Sequence, residues 1–110
     1  MEAGPDFTVT RWRAGSAVVV VVEGEIDLST VEELQAELEA AAAESAHVVL
    51  DLRAVDFIDS AGIRLVLESD HALKARGGEL AVVPSPGAVQ RVFDLVGLGE
   101  RVRMLDAPPT

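Results

Sequence analysis

Hydrophobic and polar positions along the chain switch between two periods, which predicts a sheet with helices laid upon it. From Phe7 to Trp12 the alternation sets Phe7 and Val9 against Thr8 and Thr10, the pattern of an edge strand. Gly15-Ser16 signals a turn, and Ala17 to Val22 is apolar without interruption, as in a strand covered on both faces. These two strands are expected to form a hairpin. Glu23 to Leu28 then carries the chain away, and Ser29-Thr30-Val31-Glu32 has the form of a capping box ahead of a helix. In that helix Val31, Leu34, Leu38, Ala41 and Ala42 make an apolar stripe, while Glu32, Glu33, Glu37, Glu39 and Glu44 read as its solvated face.

His47 to Leu52 is a short apolar run read as a central parallel strand reached by a right-handed crossover, with Ala54 to Asp59 as its exit loop. Ser60 stands in the N-cap position of a second helix carrying Ile63, Val66, Leu67 and Leu73, which Gly77-Gly78 ends. Glu79 to Val83 is a further strand, stopped by Pro84. Ser85-Pro86 opens a third helix with the stripe Val89, Val92, Phe93 and Val96, and Arg101 to Leu105 adds a last short strand. The expected fold class is α/β. It is a single domain over residues 7–105, with a mixed, mostly parallel sheet of about five strands, an N-terminal β-hairpin and three main helices. Residues 1–6 and 106–110 read as flexible termini.

Composition narrows the possible chemistry. A chain of 110 residues, 49% of them hydrophobic, suits one domain with its own core. Without cysteine there is no disulfide framework, thiol nucleophile or thiolate metal site, and two histidines leave little for an imidazole cluster. Neither a metal nor another cofactor is expected. Nineteen acids against nine scattered bases give a charge of −10, a field that repels phosphate backbones, so no nucleic acid partner is expected. The longest uncharged stretch, Leu80 to Gln90, has eleven residues and two prolines. A bilayer needs about 20 apolar residues, so no membrane span is expected. Met1 to Asp6 carries acids where a secretory signal carries bases, making the cytoplasm the expected location. The oligomeric state stays open between monomer and weak dimer.

In open α/β sheets, functional groups collect beyond the carboxyl ends of parallel strands. Two loops leave such ends, Glu25 to Ser29 and Asp56 to Gly62, and they gather Asp27, Asp56, Asp59 and the hydroxyl of Ser60. A helix N-terminus favours negative charge, so Ser60 is either a simple cap or a place where an added phosphate is held. The residues alone leave both readings open, and Gly62 in the plainer one allows close packing. A serine hydrolase does not fit. His47 begins the strand whose far end leads to Ser60, His71 lies roughly 16 Å along the helix, and no G-x-S-x-G elbow is present. A phospho-aspartate receiver pairs its acids with a lysine near the end of a late strand, whereas the single lysine, Lys74, falls in the second helix. The chain is not read as an enzyme. Trp12 either covers the sheet face or marks a partner surface, packing being the expected role.

The segments Gly24-Glu25-Ile26-Asp27, Val48-Val49-Leu50-Asp51-Leu52, Phe57-Ile58-Asp59-Ser60-Ala61-Gly62-Ile63, Arg76-Gly77-Gly78 and Gln90 to Leu98 resemble STAS domains, specifically bacterial anti-sigma factor antagonists. The resemblance covers about residues 7–105. It implies that Ser60, the serine of D-S-x-G, is the phosphoacceptor for a partner that is both anti-sigma factor and serine kinase. It further implies that the unphosphorylated form binds this kinase and frees the sigma factor, that phosphorylation weakens the binding, and that a PP2C-type phosphatase restores it. Asp27 inherits a supporting role and Asp59 the position before the acceptor. The partner-facing set is Asp27, Asp56, Asp59, Ser60, Ala61 and Gly62. Ala61 stands where many family members have a second serine, and the chain ends at Thr110 where many continue into a final helix. The alternative within the same resemblance is an interaction domain of another assembly, a stressosome-like scaffold or a lipid-transport component.

Overall fold

The computed structural model describes residues 7–110. The readings made for residues 1–6, a flexible start without a secretory signal, lie outside the described residues. β1 (Thr8–Ala14) turns at Gly15-Ser16 into β2 (Ala17–Ile26), pairing antiparallel from Thr8↔Glu23 to Ala14↔Ala17. The chain continues through α1 (Val31–Glu44), β3 (His47–Ile58), α2 (Ser60–Lys74), β4 (Glu79–Val83), α3 (Ala88–Val96) and β5 (Arg103–Met104). The strands lie in the order β1-β2-β3-β4-β5, and every pairing after the hairpin is parallel. The expected α/β domain, with its five-stranded mixed sheet, hairpin and three helices, is the fold observed.

Alternation along the strands decides where the helices go. Val18, Val20 and Val22 of β2, Val48, Leu50 and Leu52 of β3, and Leu80 and Val82 of β4 share one face. Against it pack Leu34 and Leu38 of α1, Leu65 and Val66 of α2, and Val89 and Phe93 of α3. All three helices therefore cover the same side, and each fully buried valine or leucine there contributes about 1.5–3 kcal/mol. The opposite face holds a smaller cluster of Ala14, Val19, Val49, Ala81 and Val83 with no helix upon it. Leu105 N–H donates to Val82 O at 2.9 Å, and Ala107 and Pro109 share a hollow with Val49 and Ala81, so the last residues run along this face. Trp12 pairs in register with Val19 on the same side and is 42% exposed, so it packs on the sheet only in part.

Two strands outrun their apolar runs. β2 continues past Val22 to Ile26 and β3 past Leu52 to Ile58, so Ala54 to Ile58 is strand rather than exit loop. The ladder persists through Glu23↔Ala54, Gly24↔Val55, Glu25↔Phe57 and Ile26↔Ile58, with register shifts at Val21/Glu23 and Gly24/Glu25. Gly24, at φ 106, supplies the conformation that such a bulge requires. Ser85-Pro86 does not open the third helix either. The Ser85 hydroxyl is buried and donates to Val55 O at 2.7 Å, which holds it on the sheet while α3 begins at Ala88 after Gly87.

Candidate functional site

The carboxyl ends of β2 and β3 are tied together before either loop begins. Asp59 N–H donates to Ile26 O at 3.1 Å, directly after the last ladder pair, Ile26↔Ile58. Beyond Ile26 the chain makes a tight polar turn. Asp27 Oδ1 accepts from the Ser29 N–H at 2.9 Å and from the Ser29 hydroxyl at 2.7 Å. The buried Thr30 hydroxyl accepts from Asp27 N–H at 3.0 Å and donates to Glu25 O at 2.8 Å. Asp27 O accepts from both Thr30 N–H and Val31 N–H, and α1 starts there. The Ser29 to Glu32 capping box is therefore not formed, because Ser29 is committed to Asp27 and Thr30 occupies the cap position without a side-chain bond into the helix. Chiefly the Ser29 hydroxyl, and with it the backbone N–H groups, hold the Asp27 carboxyl below its ordinary range.

The cap of α2 also falls one residue earlier than expected. Asp59, in extended backbone, accepts with Oδ1 from Ala61 N–H at 2.9 Å and Gly62 N–H at 3.2 Å. Its bond to Ile26 O fixes that backbone just ahead of the first turn, where a short carboxylate meets the free amides. Ser60 is thus the first residue of the helix, exposed, and its hydroxyl has no hydrogen-bond partner among the described residues. Freed from capping, that hydroxyl is exposed and uncommitted.

Gly62 lies buried beneath this turn. A Cβ built there would sit 2.6 Å from Ile58 Cγ1 and 2.7 Å from Ile26 Cγ2, so the missing side chain lets α2 seat on the ends of both strands. Ala61 is half-buried. The expected cluster resolves into two neighbouring hollows. Asp27 and the exposed Asp56 share a polar one with Glu25, Ser29 and Thr30. Asp59 and Ser60 open on a largely apolar one walled by Ile58, Ile63 and Leu67 and by Val92 and Val96 of α3. Leu95 and Val96 of α3 are 81% and 55% exposed, which extends the apolar wall outward. Reading the sequence missed Thr30, whose signal was a hydroxyl three residues after Asp27, and Arg64, which lines the apolar hollow one helical turn after Ser60. His47 and His71 are both exposed, one at the start of β3 and one on α2, far from the serine as expected. Among the described residues no group of three or more histidine, cysteine or acidic side chains is arranged to hold a metal ion.

Comparison with known proteins gives the family. The family model described as the STAS domain matches residues 11–107. The chain belongs to the STAS family. Among the relatives of this STAS domain is an anti-sigma F factor antagonist of Paenibacillus polymyxa, 30% identical over 83 residues, which are 74% of this chain and 71% of the relative. A crystal structure of an anti-sigma factor antagonist from Mycobacterium paratuberculosis superimposes with a TM-score of 0.85 at 28% identity, covering 96% of this chain and 92% of that one. The phosphorylated form of the Bacillus cell fate determinant SpoIIAA gives a TM-score of 0.69 at 30% identity, over 93% and 91% of the two chains.

Proposed function

We propose that this STAS domain is an anti-sigma factor antagonist that binds an anti-sigma serine kinase while unphosphorylated, releasing the sigma factor, and is switched off by phosphorylation of Ser60. The observation that carries this reading is the unbonded, exposed Ser60 hydroxyl at the rim of an apolar hollow, with its capping duty taken by Asp59. Support comes from the relatives, which bear the antagonist name, and from a structural neighbour that exists in a phosphorylated form. The apolar wall of Ile63, Leu67, Val92 and Val96 suits a protein partner; Asp59 and Ser60 stand in the same hollow, Asp27 and Asp56 in the neighbouring one, and Ala61 and Gly62 complete the partner-facing set. In the transfer, Ser60 Oγ bonds to the γ-phosphorus of ATP, the bond to ADP breaks, and the hydroxyl proton passes to a base of the kinase. ATP and its metal belong to the kinase, so this chain performs no catalysis of its own. A PP2C-type phosphatase reverses the step, and the cycle has its place in the cytoplasm.

The added group carries about −1.5 to −2 charges. Desolvating it against a partner, at a cost of about 3 kcal/mol, weakens association about a hundredfold. The test incubates the protein with its cognate kinase and ATP, locates the phosphate by mass spectrometry and measures kinase binding of Ser60→Ala and Ser60→Asp. Ser60→Ala is expected to bind and take up no phosphate, and Ser60→Asp to bind poorly. Phosphate at another residue, or none with an active kinase, refutes the switch. Recovery of large STAS assemblies without an ATP-binding partner favours the scaffold or lipid-transport role instead.

A further inference from the structure

We infer that Arg64 is the internal counter-ion of phosphorylated Ser60, a positioning residue that holds the modified side chain against α2. This inference rests on the reading of Ser60 as phosphoacceptor. The usual way to hold a phosphate at this place is largely closed. The amides of Ala61 and Gly62, which an anion at a helix N-terminus needs, are already engaged by Asp59 Oδ1, and Ile63 N–H is bonded to Asp59 O. Among the described residues only Ser60's own N–H is left without a bond in this turn, so a phosphate on Ser60 would meet the Asp59 carboxylate with little backbone compensation, and an opposite charge has to come from a side chain.

Arg64 is placed to supply it. It follows Ser60 by four residues on α2, which puts the two side chains about 5–6 Å apart at Cβ, and both line the same hollow. Its guanidinium is exposed and makes no hydrogen bond or ion pair among the described residues, whereas Arg11, Arg53, Lys74 and Arg103 are each paired to a carboxylate. The other charged groups lining the hollow are Asp59 and Glu68, both on or next to α2, while β3 contributes Ile58 and α3 only Val92 and Val96. Arg64 is thus the one cation there, and a guanidinium meets phosphate oxygens through two parallel N–H bonds. Pairing with Arg64 holds the phosphate within this hollow and restricts its orientation.

The test encodes phosphoserine at position 60 during synthesis, which needs no kinase, and follows the second ionisation of the phosphate by phosphorus NMR as pH is varied. The dianion is favoured by a neighbouring cation, so Arg64→Ala is expected to raise that pKa by about half a unit or more, and Arg64→Lys to recover part of the difference. Asp59 and Glu68 are common to all three proteins and cancel in the comparison. Identical titrations of the parent and Arg64→Ala overturn the inference, whatever the kinase experiment returns. Failure of kinase labelling with this NMR difference intact would overturn the phosphoacceptor reading and leave the charge pairing standing.

Discussion

Replacing Gly62 by alanine separates packing from helix propensity at the centre of the site. In a helix, glycine to alanine gains at most about 1 kcal/mol from backbone entropy, the value for an interior position. Here the new methyl would meet Ile58 Cγ1 at 2.6 Å, Ile26 Cγ2 at 2.7 Å and Ile58 Cδ1 at 2.9 Å. Two of these atoms sit directly on β-branched carbons of buried residues, where χ1 is stiff and cannot swing away cheaply. The clash therefore belongs toward the upper part of the overpacking range of about 1–3 kcal/mol. Subtracting the propensity gain leaves a net loss of about 1–2 kcal/mol. Urea unfolding should show a lower midpoint at unchanged slope, and thermal melting a fall on the order of 5–10 °C. The same variant should weaken kinase binding, because α2 must lift from the strand ends and carry Ser60 with it. A Gly62→Ala protein as stable as the parent would show that α2 is not seated on Ile26 and Ile58.

Asp59→Ala should cost about 0.5–2 kcal/mol in urea unfolding through loss of the α2 cap, whereas Ser60→Ala should stay within about 0.5 kcal/mol. The reverse ranking would return the capping role to Ser60. Gly78→Ala should destabilise more than Gly62→Ala, by about 3 kcal/mol, since its Cβ would fall 2.0 Å from the backbone oxygen of Ala46, an atom that also accepts from Glu79 N–H. Thermal melting of the two alanine variants side by side checks the order. The lowered Asp27 pKa makes its carboxylate a source of stability that is fully present above the ordinary aspartate range and lost as pH falls through its own lower value. Urea midpoints of the parent and Asp27→Asn should accordingly differ most near neutrality and converge in acid.

The parts of the fold that could be read in the sequence are those where one period dominates. Val18 to Val22, Val48 to Leu52 and Leu80 to Val83 are buried strands, and Leu34 to Leu38 and Val89 to Phe93 are helix stripes, so element type and order followed directly. The ends of β2 and β3 were hidden because Glu23, Glu25, Arg53 and Asp56 face water while the ladder continues, and two register shifts break the alternation that would have revealed it. That Asp27, Asp59 and Ser60 stand beyond the ends of neighbouring strands was legible from their position in the sequence. Their division of labour was not. Asp59 and Ser60 are both competent caps, and the choice depends on a bond between Asp59 N–H and Ile26 O across more than thirty residues. Ser29 was likewise a competent cap until Asp27 claimed its hydroxyl.

The strictly sequential order of the sheet bears on how the chain comes into being. Each strand joins the edge left by its predecessor, and none has to be inserted between two that already pair. As the chain leaves the ribosome, the β1–β2 hairpin forms from neighbouring residues. β3 then β4 can be added after their helices, with one growing edge at every length beyond the hairpin. Loop closure is thereby taken in short instalments, which favours quick folding and leaves little time for unpaired strands to meet other chains. The Ser60 turn can form once β3 and the first turn of α2 have emerged, before β4, α3 and β5 exist, so the candidate site would be shaped well ahead of the apolar wall beside it.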